Sequence, residues 1–420
     1  MSENKADSIL GKINYSLPEE RIARYPLETR HDSRLLKYKD GLIQDTQFRN
    51  IAQLLPNDSL LVFNDTRVIR ARFFFQKSTG AEIEIFCLEP YEPSDYERAF
   101  AKTGSVKWKC LVGNLKKWKN EILEKKIELN HRTIFIRAKK IENHQEYQVI
   151  EFNCSDEKMS FSELLELAGE TPIPPYLNRA SEPMDHDRYQ TIYANTEGSV
   201  AAPTAGLHFT PEILKNISDK GLKRIDLTLH VGAGTFRPIL TDSVKDHAMH
   251  SEHFSISRQA LETLVQHNGN IIAIGTTSVR TLESLYYCGI KLLMNSEFKQ
   301  NELHVGQWDW QLPDGENRAG DALNAVLQYM IKYNLAILNA STQLMILPGY
   351  KFKLIDGLIT NFHQPGSTLL LLVNAFIGDD WKKVYEHALI NNYRFLSYGD
   401  SSLLLNPRLN EEVDIKKMSK

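Results

Sequence analysis

The chain has 420 residues, 42% apolar and 25% charged, which predicts two or three globular domains with an ordinary core. Its net charge of −3 excludes a generally basic nucleic-acid coat but leaves local patches open. No apolar run approaches the roughly 18 residues of a membrane helix, MSENKADSIL lacks an export signal, and Cys87, Cys110, Cys154 and Cys288 form no CxxC pair, so a cytoplasmic protein with reduced thiols, no membrane and no cysteine zinc site is expected.

Residues 16–24 read as a short helix with Pro18 at its start. Arg30 and Arg34 flank a polar turn before a strand over 35–38. They offer two cations to a phosphate or carboxylate, or to surface salt bridges. The apolar run at 60–64, LLVFN, predicts a buried strand. Short runs at 68–75, 81–88, 108–112, 127–129, 133–138 and 148–152, separated by turn residues, then predict a small antiparallel barrel. The expected organisation is a β-barrel domain over 65–155, inserted between the halves 1–64 and 156–420 of a discontinuous α/β domain. Residues 102–150 carry twelve Lys and Arg against five Glu, with Trp108 and Trp118 among them. That pattern suits a nucleic-acid backbone. Six acidic residues within 82–97 argue instead for a mixed, solvated surface.

Residues 162–168 read as a helix, and the three prolines of 171–176 enforce an extended or turned path. The stretch 198–238 is the centre of the chain. Its loop 199–206, with Thr204 and Gly206, is small enough for backbone N–H groups to approach a ligand. Past His208, a helix over 211–220 has Thr210 as N-cap, Pro211 in first position and Gly221 as its stop. The β-rich run 225–231 carries His230 and empties into Gly232-Ala-Gly234-Thr235. A loop after a strand's C-terminal end is where open α/β sheets bind ligands. The next motif, HAMHSEH at 247–253, holds His250, Glu252 and His253. It lacks HExxH helical spacing and would alternate faces on a strand, so no metal is expected.

A helix over 258–267 and a buried strand over 270–275 lead to Thr276, Thr277 and Ser278 at the start of a helix over 281–287. Hydroxyls and free N–H groups there suit an anion or polar ligand; alternatively, Thr277 or Ser278 is only the N-cap. Arg280 and Glu283, three apart, share a helix face. Segment 292–341 reads as a separate element, with Trp308 and Trp310 in a polar loop and an amphipathic helix over 319–331. The core resumes at 343–347, and after a turn at Pro348-Gly349 a strand over 350–355 and a run at 358–362 lead to His363. Ser367 and Thr368 then cap a helix over 369–376. Residues 393–400 close the fold before a polar tail. Without a GxGxxG, Walker A or GxSxG motif, ordinary Rossmann dehydrogenases, P-loop enzymes and serine hydrolases are disfavoured.

Eight blocks carry a resemblance: SRLL (33–36), LVFNDTRVI (61–69), EGSVAAPTAGLHF (197–209), LHVGAGTFRP (229–238), MHSE (249–252), GTTSVRTLES (275–284), LITNFHQPGSTLLLLVNAF (358–376) and YRFLSYGD (393–400). In this order they resemble the S-adenosylmethionine:tRNA ribosyltransferase-isomerase family of queuosine biosynthesis, from Tyr15 to about Leu405. The resemblance implies a mixed α/β/α sandwich with an inserted small antiparallel β-barrel domain. It implies that the ribosyl moiety of S-adenosylmethionine is transferred to 7-aminomethyl-7-deazaguanine in the tRNA anticodon and isomerised, giving epoxyqueuosine with release of adenine and methionine. S-adenosylmethionine is then a consumed cosubstrate, tRNA is the partner, and no metal is implied. A monomer is expected.

Such chemistry needs a base for the ribose 5′-carbon proton that the sulfonium acidifies, an acid for departing adenine, and a neutral amine nucleophile. His208, His230, His250 and His363 lie in the matching blocks, and Asp65, Glu252 and Glu283 join them as catalytic candidates. Turnover is expected to fall in His208→Ala and His230→Ala. Arg67 and Arg280 would bind the methionine carboxylate or a tRNA phosphate, and Thr276, Thr277 and Ser278 suit the same carboxylate. Thr204, Gly206, Gly232, Gly234, Thr235, Ser367 and Thr368 complete the expected substrate loops. Arg34, Lys116, Lys117 and Lys119 are the candidate tRNA contacts. Three departures bear on specificity. Segment 292–341 is longer than the family's, Arg70 stands where the family often has Pro, and Gln364 and Gly366 vary from its His-Leu-Pro form. The alternative reading is therefore the same chemistry on a different deazapurine acceptor, or a non-catalytic tRNA-binding paralogue.

Overall fold

The computed structural model describes residues 13–129, 131–232, 247–295, 298–299, 302–313 and 318–406. Among these, ten strands form one mixed sheet. Its spatial order is His304–Val305, Ile337–Thr342, Glu252–Ser257, Lys223–Leu229, Leu60–Asn64, Ile271–Ile274, Gly357–Asn361, Ser401–Leu405, Arg34–Lys39, Leu42–Gln47. The middle of the sheet is parallel, from Lys223–Leu229 through Leu60–Asn64 and Ile271–Ile274 to Gly357–Asn361. Every residue of these last three strands is buried, because helices cover both faces. Successive side chains on a strand point to opposite faces. Leu60 and Val62 accordingly pack with helices Thr276–Met294, Ala319–Lys332 and Thr368–Ile377, while Leu61 and Phe63 pack with helix Pro211–Asp219.

The chain between Leu60–Asn64 and Lys223–Leu229 builds a second, antiparallel sheet in the order Arg72–Gln76, Glu82–Glu92, Ser105–Val112, Gln148–Cys154, Arg132–Asn143, Leu123–Leu129. It curls until its two outer strands come into contact, a nearly closed barrel with its own apolar core. The fold is therefore a mixed α/β/α sandwich with an inserted antiparallel β-barrel.

Local differences from the sequence reading have physical causes. The run 68–75 is divided: Thr66–Val68 pairs in parallel with Thr196–Ser199, and only Arg72–Gln76 enters the barrel. Residues 16–24 make one 3-10 turn, Glu19–Arg21. Residues 350–355 carry no strand; Ile337–Thr342 enters the sheet instead, between the edge strand His304–Val305 and Glu252–Ser257. Segment 292–341 thus supplies two sheet strands and a helix, Ala319–Lys332, that lies against Thr276–Met294. Trp108 and Trp118 are in the barrel core, 0% and 2% exposed, which removes them from any RNA-facing surface. Cys87 and Cys110, distant in sequence, are cross-strand partners with sulfurs 3.9 Å apart, and all four cysteines are free thiols.

Candidate functional site

The small-residue loop, two helix starts and the end of a parallel strand converge on one cavity of about 720 Å³, counted out to solvent. Thr204 lies in the turn Thr204–His208, Thr276 and Thr277 open the helix Thr276–Met294, and Asn361 and His363 follow the strand Gly357–Asn361. Ser367 enters as the N-cap of Thr368–Ile377, accepting from the Leu370 N–H at 3.2 Å. Gly275 reaches φ +88° at the N-cap of the long helix, a region that costs little only for glycine. It has no capping side chain. Ser278 spends its hydroxyl on the Ile274 carbonyl at 2.8 Å, so neither Ser278 nor Thr277 is the cap. Thr277 Oγ1 is buried without a partner among the described residues and lines the cavity.

Three histidines surround this region in neutral form. Asn361 Nδ2 donates to His208 Nε2 at 3.2 Å, which leaves the proton on Nδ1 for Ser33 Oγ at 2.8 Å. The same amide accepts from Thr204 Oγ1 at 2.9 Å. His208 therefore positions Asn361 from behind the wall. His363 Nε2 bonds Thr360 Oγ1 at 2.9 Å. Burial lowers both histidines to about 3, with Arg30 and then Arg394 adding to the effect at His208. Val231 lines the cavity, while its neighbour His230 turns the other way, stacks on Tyr96 at 4.5 Å and is lowered to about 4 by burial and His253. Gly198 permits that stack: a Cβ there would lie 2.6 Å from His230 Nδ1.

Two further spaces are lined by other expected site residues. A cavity of about 570 Å³ shares Leu369 with the first cavity and holds His250, Glu252, Arg280 and Thr368. Glu252 and Arg280 form a buried ion pair there. A wide cleft of about 2280 Å³ between the two sheets holds His230 and Asp65. Asp65 Oδ1 accepts from Thr228 at 2.6 Å, yet burial raises its pKa. Asp95, Glu97, Glu197 and Asp226 also line this cleft, so its walls are acidic.

The family model described as a queuosine biosynthesis protein matches residues 10–404. The chain is 37% identical over 404 residues to the S-adenosylmethionine:tRNA ribosyltransferase-isomerase of Trichlorobacter lovleyi, covering 94% of this chain and 100% of that one. It is 38% identical to the protein of that name from Pelobacter propionicus, covering 94% and 99%. The chain belongs to the S-adenosylmethionine:tRNA ribosyltransferase-isomerase family. Among solved structures, the S-adenosylmethionine tRNA ribosyltransferase of Thermotoga maritima matches at 26% identity and a TM-score of 0.45, covering 94% of this chain and all of that one.

The other residues expected from the family resemblance scatter. Glu283 is fully buried and accepts from the Tyr350 hydroxyl and the N–H groups of Lys353, Leu354 and Ile355; it ties down loop 350–355, and burial raises its pKa. Gly206 is held by packing, since a Cβ would meet the Tyr193 hydroxyl at 1.9 Å. The Gly232 N–H donates to Glu252 at 3.2 Å. Gly234 and Thr235 fall outside the described residues. Arg67, Lys116, Lys117 and Lys119 are exposed. Arg34 stacks on Tyr393 at 3.8 Å and bonds the Asn391 carbonyl. The sequence reading missed Asn361, Tyr176, Tyr189 and Ser397 in the cavity wall, and Tyr96 against His230. Asn361 sits in the block LITNFH and Ser397 in YRFLSYGD, so their signal was membership of a matching block.

Proposed function

We propose that the chain transfers the ribosyl moiety of S-adenosylmethionine to 7-aminomethyl-7-deazaguanine in a tRNA anticodon and isomerises it, giving epoxyqueuosine, adenine and methionine. The observation that carries this reading is the relationship, over 94% of the chain, to proteins named S-adenosylmethionine:tRNA ribosyltransferase-isomerase. The hydroxyl-lined cavity supports it as a place for the adenosyl group, with Thr204, Thr276, Thr277 and Asn361 for its polar edges.

Neutral histidines near 3 or 4 are weak bases at neutral pH. His208 and His363 therefore position and donate hydrogen bonds in this reading. Asp65, raised by burial in the cleft, takes the proton from the acceptor's ammonium and frees the amine to attack. The acidic cleft admits the cationic aminomethyl group, and the exposed Lys116, Lys117 and Lys119 of the barrel contact the tRNA backbone. The division into an inserted barrel domain over 65–155 and a discontinuous α/β domain belongs to the same reading, as do a cytoplasmic monomer and a reaction without metal.

The test is a mass analysis of the full chain with S-adenosylmethionine and tRNA bearing 7-aminomethyl-7-deazaguanine. Free adenine together with the epoxycyclopentane nucleoside is the expected outcome. Bound tRNA without adenine would sink the reading and favour a changed acceptor or a non-catalytic paralogue. Asp65→Asn should retain cosubstrate binding and lose turnover; wild-type turnover would remove Asp65 from the mechanism.

A further inference from the structure

We propose that the cavity around Arg280 and Glu252 is the α-amino-acid subsite for the cosubstrate. Arg280 holds the carboxylate, Glu252 the ammonium, and Met249, Met345 and Leu372 receive the chain leading to sulfur. The proposal rests on the S-adenosylmethionine reading above and assigns one end of that molecule.

Arg280 is 7% exposed. Its Nη1 pairs with Glu252 and its Nε donates to the Leu344 carbonyl at 3.3 Å. Nη2 is buried with no partner among the described residues. A buried guanidinium N–H without an acceptor is costly, and a carboxylate matches the geometry of the guanidinium fork. Glu252, 5% exposed, receives Arg280 on one oxygen and the Gly232 N–H on the other. Each carboxylate oxygen keeps a lone pair for an ammonium. A zwitterion entering this site meets a neutral ion pair with the charges reversed, so no net charge is buried. Met249, Met345 and Leu372 are among the remaining lining residues, with His247 and His250, and give a polarizable surface for a methylene–sulfur chain.

The neighbouring cavity, which shares Leu369, has no Lys or Arg among the described residues of its wall. The carboxylate therefore goes to Arg280 rather than to the hydroxyls of Thr276 and Thr277, one turn earlier on the same helix. Those two hydroxyls remain for the adenosyl part.

The test compares S-adenosylmethionine with its decarboxylated and its desamino analogues as cosubstrates for the full chain and modified tRNA. Losing a charge-assisted partner should raise KM by roughly 10- to 100-fold, with kcat changed far less. Free L-methionine should compete with the cosubstrate, and 3-methylthiopropylamine should compete much more weakly. Equal KM values for the three cosubstrates would overturn the subsite while leaving the reaction intact. No adenine from S-adenosylmethionine itself would overturn both. In Arg280→Lys the preference for the carboxylated cosubstrate should shrink; a preference unchanged from wild type would remove Arg280 as the carboxylate's partner.

Discussion

Asn361 does two jobs with one amide. Its nitrogen fixes the His208 tautomer and its oxygen holds the Thr204 hydroxyl at the cavity wall. Keeping His208 neutral has an energetic consequence. Its folded-state pKa of about 3 lies below the ordinary 6.5, so the unfolded chain binds a proton first as pH falls. Stability present above pH 6.5 is lost on acidification through that window toward 3. The stability advantage of wild type over His208→Gln should shrink by about 1.2 kcal/mol between neutral pH and pH 5.5, read from urea midpoints. A constant gap would show that folding leaves the His208 pKa unshifted. Asp65 and Glu283, both raised by burial, act in the opposite direction, which is why the comparison is made against a single variant. At this scale the sequence offers kinds of side chain, but not their partners. Glu252 and Arg280 are 28 positions apart and His208 and Asn361 are 153 apart. No local period links them.

The long helix Thr276–Met294 is the element that carries both cavities. Its first residues line one, and Arg280 lines the other. It lies close to Ala319–Lys332 because Gly289 has no side chain: a Cβ would stand 2.1 Å from the Ala322 carbonyl oxygen. Gly289→Ala must push the two helices apart, despite alanine's better helix propensity, and should cost about 1–3 kcal/mol. Denaturant unfolding checks this; an unchanged or raised midpoint would mean the backbones yield freely. Elements with strong local signals were legible. Leu60–Asn64 reads as a strand buried on both faces, and Thr210 caps Pro211–Asp219 as its chemistry requires. Ile337–Thr342 was not legible, since its polar Asn339 and Ser341 lie on the strand's open face. Ser401–Leu405 was hidden by its two serines, both buried inside the sheet. Asp380–Ile390 did carry a helical signal, with Trp381, Val384, Tyr385 and Ala388 on its buried face, and was passed over between two stronger motifs.

Across the molecule, charge is distributed unevenly in a way the net value conceals. The cleft is acidic, whereas Lys116, Lys117 and Lys119 sit exposed on the barrel. If those lysines meet the tRNA backbone, replacing all three with alanine should flatten the slope of log affinity against log salt by about 2–3. A filter-binding series across ionic strength measures it, and an unaltered slope would move the RNA footprint off this part of the barrel. The sheet itself links distant parts of the chain, because Ser401–Leu405 lies between Arg34–Lys39 and Gly357–Asn361. A ribosome making this protein releases one neighbour of that strand early and the other late, and the strand itself after both. The first hairpin must wait, its hydrogen-bonding edge unpaired, through the synthesis of more than three hundred residues. The cavity wall at Asn361 and Ser397 can therefore close only after translation has passed residue 405. Until then the nascent chain presents an open sheet edge of the kind that chaperones cover.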